Sequence, residues 1–376
     1  MKQIIGIILL LTLTNMVCAE TAPEEVWSKT FGGTDDDVAS SVQQTSDGGY
    51  IIAGSTGSYG AGSDDFWLVK TDSDGNKVWD KSFGGTDDDV ARSVQQTSDG
   101  GYIIAGSTGS YDVGGTDVRL VKTDSNGNKV WDKTYGGSGG DLADSVHQTS
   151  DGGYILAGST GSYDTGDWDV WLVKTDFNGN KVWDKTFGGT ATDSANSVQQ
   201  TSDGGYILAG HTGYYGTGEY DFWLVKTDSD GNKVWDKSFG GTDEELASSV
   251  HQTSDGGYIL AGSTGSYDAG DWDVWLVKTD SSGNKQWDKT FSGTDDDWAF
   301  SVRQTSDGGY ILAGYTESYG AGSRDLWLVK TDSDGNKVWD KTFGGTSHDW
   351  ALSVQQTSDG GYILAGLTHS YRCWWI

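Results

Sequence analysis

A tryptophan recurs at Trp27, Trp79, Trp131, Trp183, Trp235, Trp287 and Trp339, every step being 52 residues. A tyrosine that follows an Asp-Gly-Gly triplet keeps the same interval, at Tyr50, Tyr102, Tyr154, Tyr206, Tyr258, Tyr310 and Tyr362. No insertion interrupts either series. A strict period means one structural unit copied in tandem, with each copy burying its apolar faces against its neighbours. Fifty-two residues is far too long for one coil of a solenoid and suits a four-stranded blade.

One repeat reads as four strands. Ser41 to Thr45 is the first and Tyr50 to Gly54 the second, joined by Ser46-Asp47-Gly48-Gly49. Phe66 to Asp72 is the third and Lys77 to Phe83 the fourth, joined by Ser73-Asp74-Gly75-Asn76. Such Asp-Gly and Gly-Asn pairs favour tight hairpins. The strands are rich in β-branched and aromatic residues, as pleated surfaces require. The second is apolar at consecutive positions, so both its faces should be covered by adjoining units. A helical reading fails, because the glycine pairs interrupt every window and no 3.6-residue apolar period is sustained. The expected fold is all-β, a seven-bladed β-propeller of four-stranded antiparallel blades.

The count of strands bears on closure. Val26 to Phe31 has the character of a fourth strand yet precedes every first strand, while only six complete third strands are present. The N-terminal strand is therefore expected to serve as the outer strand of the last blade, sealing the ring where the two ends meet. The last repeat has Cys373-Trp374-Trp375-Ile376 where a FWLVKTD strand is sought. Two readings stay open there: Trp375 and Ile376 form a stunted third strand, or the reading frame once continued.

The segments QTSDGGYIIAGST, WLVKTDSDGN and VWDKTFGG resemble kelch-type and quinoprotein-like propeller repeats. They resemble more closely the secreted tandem-repeat propellers of methanogenic archaea and some bacteria. The resemblance covers nearly all of residues 24–370, and it implies architecture rather than activity. The QxDxNxVxY pocket of bulb-type lectins is absent, so no lectin residues follow from it.

Residues 1–19 read as a signal peptide. Lys2 gives a positive start, Ile4 to Leu13 an apolar stretch, and Val17-Cys18-Ala19 a small-residue cleavage site before Glu20. The stretch is shorter than the ~20 residues of a bilayer span. A lipoprotein reading would anchor Cys18, though Val17 suits it poorly, and soluble export is preferred. Residues 20–376 are then a single propeller domain, secreted or in the cell envelope and expected to be monomeric. Cys373 alone remains after cleavage, so packing rather than an internal disulfide must stabilise the fold. The formal charge is −30, from 55 acidic and 25 basic residues, which argues against nucleic acid or anionic membrane as partner. Acidity also keeps a repetitive β-protein soluble without any ligand.

Within the repeats, variation concentrates in two longer loops, Ser55 to Asp65 and Gly32 to Ala39 with their counterparts, on the face opposite the short turns. Scaffolds commonly carry function on such loops. Just before the third strand, three consecutive blades read Asp167-Trp168-Asp169, Glu219-Tyr220-Asp221 and Asp271-Trp272-Asp273, whereas other blades have Asp64, Thr116 or Arg324 at the aromatic position. Asp167, Trp168, Glu219, Tyr220, Asp271 and Trp272 are therefore candidate ligand contacts. Aromatic faces beside carboxylates suit sugar rings or the cations of a protein partner. Equally, these aromatics can fold back onto neighbouring loops.

Asp37, Asp89, Asp141, Asp193, Glu245, Asp297 and Asp349 recur once per blade. Placed near the channel entrance they could attract a metal cation such as calcium; alternatively each caps loop amides, as Asp does in turns. Asp72, Asp74, Asn76 and Asp80 have the spacing of a calcium loop, but the glycine stands at position 4 rather than 6, which favours a plain hairpin turn. His147 and His251 lie two blades apart on first strands, and His211, His348 and His369 read as single loop residues. No nucleophile elbow, HExxH or phosphate loop is present, and no two carboxylates stand out as a hydrolytic pair. The expectation is an exported, non-enzymatic binding or cell-surface scaffold without a cofactor, engaging a glycan or protein through its loop-rich face. The alternatives are a carbohydrate-active enzyme using rim carboxylates and a purely structural envelope protein.

Overall fold

The computed structural model describes residues 21–111, 114–163, 167–216, 218–267 and 271–370. Six four-stranded antiparallel sheets follow one another along the chain, and a two-stranded sheet ends the series. In blade one the inner strand is Asp37–Gln44, the second Tyr50–Thr56, the third Asp65–Thr71 and the outer Lys77–Phe83. Five further blades repeat this pattern at 52-residue steps. Blade seven consists of Asp349–Gln356 and Tyr362–Thr368. The inner strand starts four residues earlier than the repeat pattern suggests, because a bulge between Ala39 and Ser41 lets it bend and continue pairing.

The repeated residues explain themselves in the packing. The outer-strand tryptophan of one blade meets the second-strand tyrosine of the next edge to face, as in Trp79–Tyr102 and Trp131–Tyr154 at 5.9 Å. Each inter-blade core is built from both sides. Ile259, Ala261, Val274 and Leu276 of blade five face Tyr310, Leu312, Trp327 and Val329 of blade six. The third strand thus gives one face to each neighbour. The short turns share one construction: Asp47 accepts from Gly49 N–H at 3.1 Å and pairs with Lys70 of the third strand at 3.0 Å. Gly48 (φ 84°) and Gly75 (φ 74°) supply the left-handed conformation that the two turns need.

Closure is visible in two sets of hydrogen bonds. Val94 N–H donates to Ser41 Oγ of the preceding blade at 3.3 Å, and across the chain ends Val42 N–H donates to Ser353 Oγ at 3.2 Å. Ser46 N–H donates to Gln96 Oε1 at 2.8 Å, and Ser358 N–H donates to Gln44 Oε1 at the same distance. The contact between blades seven and one therefore reproduces those between sequence neighbours. The ring is closed.

The N-terminal segment takes the outer-strand place of blade seven without becoming a strand, since residues 21–33 have no strand conformation. Trp27 meets Tyr50 at 5.8 Å, the geometry of the other Trp–Tyr pairs. Lys29 Nζ reaches Asn76 Oδ1 at 3.4 Å, as Lys133 reaches Asn180. Lys341 donates to Pro23 O at 2.9 Å from the other side. The expected pairing of Val26 to Phe31 is thus corrected: the segment is held by side chains, and no third strand among the described residues lies beside it. The 52-residue register aligns residues 371–376 with 319–324, the loop before a third strand rather than the strand itself. Cys373, Trp374, Trp375 and Ile376 lie outside the described residues, as do residues 1–19, for which a signal peptide is expected. No helix of the described residues is long and apolar enough to cross a membrane.

Candidate functional site

The three aromatics that precede third strands do not form one arc of contacts. Trp168 lies over Gly140, where a Cβ would meet its ring. Tyr220 meets His211 edge to face at 5.1 Å. Trp272 packs on Trp298 at 4.8 Å. All three are half-buried against neighbouring segments, while Asp167, Glu219 and Asp271 are exposed. Burial and the nearby Glu219 raise the pKa of Glu244.

Trp272 leads into a larger aromatic group that the repeat pattern conceals. Trp298 stacks near Phe300 at 6.3 Å and near Tyr315 at 6.4 Å, and Tyr315 stacks on Trp350 at 5.6 Å. The Arg324 guanidinium sits over Tyr315 at 4.7 Å and over Trp350 at 5.3 Å, held by Glu317 at 2.7 Å. Trp272, Trp298, Phe300 and Trp350 are all half-buried. The inner strands begin at the loop-rich end, so their second residues, Trp298 and Trp350, stand there. Val38, Val90, Leu142, Ser194 and Leu246 hold the equivalent position in the other blades. That departure was the available signal.

The once-per-blade acids are turned inward. Asp37 accepts from Gly33 N–H at 2.8 Å, from Ser58 Oγ at 2.7 Å and from the Thr56 hydroxyl. Glu245 accepts from Gly241 N–H at 2.8 Å and Thr264 Oγ1 at 2.9 Å. Asp89, Asp141, Asp193, Glu245, Asp297 and Asp349 are buried, and Asp89, Asp141, Asp193, Asp297 and Asp349 likewise accept from the glycine amide four residues earlier. These bonds tie each loop to the start of its inner strand, which is the capping role. In the hairpin, Asp72 Oδ1 accepts from Asn76 N–H at 2.8 Å and Asp74 N–H at 3.0 Å, closing the turn locally. Among the described residues no three His, Cys, Asp or Glu side chains gather as a metal site would need.

A cavity of about 400 Å³ is lined by the inner strands of all seven blades. At one register position it presents Gln43, Gln95, His147, Gln199, His251, Arg303 and Gln355. His147 and His251 thus face one space although they lie two blades apart. Burial lowers the pKa of both, that of His251 to about 3, and the Arg303 charge adds to the effect. His211 is not a loop residue but part of the strand Tyr206–Thr212, and burial lowers its pKa to about 4.

No family model matches this chain. It is 28% identical over 258 residues to the regulatory protein FlaEY of Caulobacter vibrioides, covering 59% of this chain and 26% of that protein. The chain thus spans about a quarter of that relative's length. Among solved structures, the Neurospora crassa Pan2 WD40 domain aligns with a TM-score of 0.56 at 13% identity, over 87% of this chain and 85% of that one. Sqt1 from Chaetomium thermophilum gives 0.50 at 13% identity, over 85% and 75%. At such identity these likenesses establish the β-propeller fold and nothing narrower.

Proposed function

We propose that this chain is an exported, non-enzymatic binding propeller that engages a glycan through the aromatic cluster of blades five to seven. The observation that carries this reading is the run of ring contacts from Trp272 through Trp298, Phe300 and Tyr315 to Trp350. Indole faces offer broad apolar area that stacks on the C–H faces of sugar rings at little entropic cost. Asp271, exposed beside Trp272, supplies an acceptor for sugar hydroxyls, while Glu317 holds Arg324 and Asp296 holds the Trp272 amide. Trp272 belongs to this site; Trp168 and Tyr220 serve the packing of their own blades. The resemblance of the repeats to secreted archaeal and bacterial propellers, together with residues 1–19, supports export.

The test is a glycan array followed by calorimetry on the purified protein. W298A/W350A is expected to weaken binding of the selected glycan about tenfold or more, since each stacked ring is worth roughly 1 kcal/mol. W168A/Y220A is expected to leave it within about twofold. Near-ultraviolet circular dichroism checks that both variants stay folded. Binding that survives W298A/W350A, the absence of any glycan ligand, or turnover of a polysaccharide would each overturn the proposal.

A further inference from the structure

The cavity enclosed by the inner strands has a chemistry that the packing of the blades does not require. In four blades its ring residue is glutamine, and each glutamine ties its blade to the next. Gln43 Oε1 accepts from Gln96 N–H at 2.6 Å and Gln95 Oε1 from Gln148 N–H at 2.5 Å. Gln199 Oε1 accepts from Gln252 N–H and Gln355 Oε1 from Gln44 N–H, both at 2.7 Å. A backbone N–H can only donate, so each amide oxygen is committed and the NH2 end is what the side chain offers the cavity. The serines two residues earlier are committed in the same way, Ser93 Oγ accepting from Val146 N–H and Ser145 Oγ from Val198 N–H at 3.2 Å. The lining is therefore rich in donors.

Into this ring the sequence places a cation. Arg303 is the one charged residue lining the cavity at neutral pH, since burial, with the Arg303 charge adding to it, holds His147 and His251 below their ordinary pKa. Arginine has no acceptor atom, so Arg303 cannot make the inter-blade bond of its glutamine counterparts. Burial alone acts on its guanidinium, lowering the pKa with no acid or hydrogen bond among the described residues to raise it again. Arg119, by contrast, has Asp132 and Asp89. The inner-strand charges Arg92 and Asp144 pair with each other at 3.3 Å. The turn aspartates of blades one to six pair with third-strand lysines, as Asp47 does with Lys70. An enclosed cation without a partner is costly, and it calls for an anion.

We propose that this cavity binds a small monocarboxylate of the hydroxy-acid or sugar-acid class, its carboxylate on Arg303 and its hydroxyl oxygens on the amides of Gln43, Gln95, Gln199 and Gln355. The count of charges selects the class. One guanidinium balances one carboxylate, whereas a dianion such as sulfate would leave an uncompensated negative charge in an enclosed site. The planar guanidinium also matches a carboxylate through two parallel hydrogen bonds. A volume of about 400 Å³ gives room for such a molecule. The protein surface does not supply this binding, because a net charge of −30 repels anions in general. The site is distinct from the aromatic cluster, since Arg303 stands five residues beyond Trp298 along the strand Asp297–Gln304, towards the short turns.

The probes are glucuronate, gluconate and lactate, titrated calorimetrically into the purified protein, with glucose and sulfate at matched ionic strength for comparison. At least one of the three acids is expected to bind saturably and one to one, at least about tenfold more tightly than glucose or sulfate. Arg303→Gln should weaken that binding at least about tenfold. The same variant should raise the melting midpoint of the ligand-free protein, because it removes the unpartnered cation and installs the residue of four sister blades. Arg303→Lys keeps the charge but loses the fork, and should weaken binding about three- to tenfold. Four results would overturn the proposal: no saturable binding of any of the three acids, glucose or sulfate bound as tightly, binding unchanged in Arg303→Gln, or a lower melting midpoint in that variant. The last would mean that the guanidinium is satisfied within the fold.

Discussion

Replacing Arg119 by Met is expected to destabilise the protein by about 3–5 kcal/mol, whereas Arg119→Trp should cost no more than about 1.5 kcal/mol. Arg119 occupies the third-strand position that Trp67, Trp171, Trp223, Trp275 and Trp327 hold in other blades. It is 1% exposed and pairs with Asp132 at 2.8 Å and Asp89 at 3.3 Å, also donating to Phe83 O at 3.0 Å. Its guanidinium also lies over Phe66 and Tyr111 at 5.3 and 4.8 Å. Met fills the volume but removes the cation between two acids, leaving buried Asp89 with Gly85 N–H and Ser110 Oγ, and Asp132 with Lys129 alone. Trp restores the arrangement of the sister blades, where the indole N–H donates to the equivalent aspartate, as Trp171 does to Asp184 at 3.1 Å. Urea unfolding of both variants measures the difference. Equal losses would show that volume, not the buried ion pairs, decides stability at this site.

The second large effect is with pH. Three histidines titrate below their ordinary value in the folded protein, His211 at about 4, His251 at about 3 and His147 also lowered. The unfolded chain binds protons to these imidazoles near the usual pKa of about 6.5, and the folded protein does not. Stability is therefore complete above about pH 6.5 and falls as the pH drops through the interval between the unfolded and folded values. His211 alone contributes on the order of 3 kcal/mol across that interval. Gln is the native residue at the His147 and His251 position in four blades, where its side chain also accepts from the next blade, as Gln95 Oε1 does from Gln148 N–H. His147→Gln together with His251→Gln should flatten the melting midpoint between pH 7 and 5, leaving the smaller slope due to His211. An unchanged pH profile in that double variant would contradict the assigned burial.

The short turns and the alternation of strands were legible because local chemistry dictates them: a Gly that must take positive φ, a Trp and a Tyr that must meet across blades. Lys77–Phe83 lies where the sequence placed it. The inner strand was read short because the bulge at Ser40 breaks the two-residue alternation that marks a strand. The acids from Asp37 to Asp349 look solvent-facing in an acidic loop, and only the tertiary fold brings Thr and Ser hydroxyls from the end of the second strand against them. Arg119 carries no local signal for a related reason, since its partners Asp89, Asp132 and Phe83 come from three different strands. The aromatic cluster was half legible. Trp272 stood out beside its neighbours, whereas Trp298, Tyr315 and Trp350 sit at three separate points of the repeat and converge only when blades are placed side by side.

The account rests on seven units closing into a ring whose first and last blades touch. Spin labels on the exposed turn serines test this directly, with one pair at Ser98 and Ser150 and another at Ser46 and Ser358. The first pair bridges blades adjacent in sequence, and the second bridges the first and last blades, which a hydrogen bond from Ser358 N–H to Gln44 Oε1 joins. Pulsed electron resonance should return the same distance for both pairs, within a few ångströms. A Ser46–Ser358 distance several times that of Ser98–Ser150 would mean an open superhelix and contradict the ring.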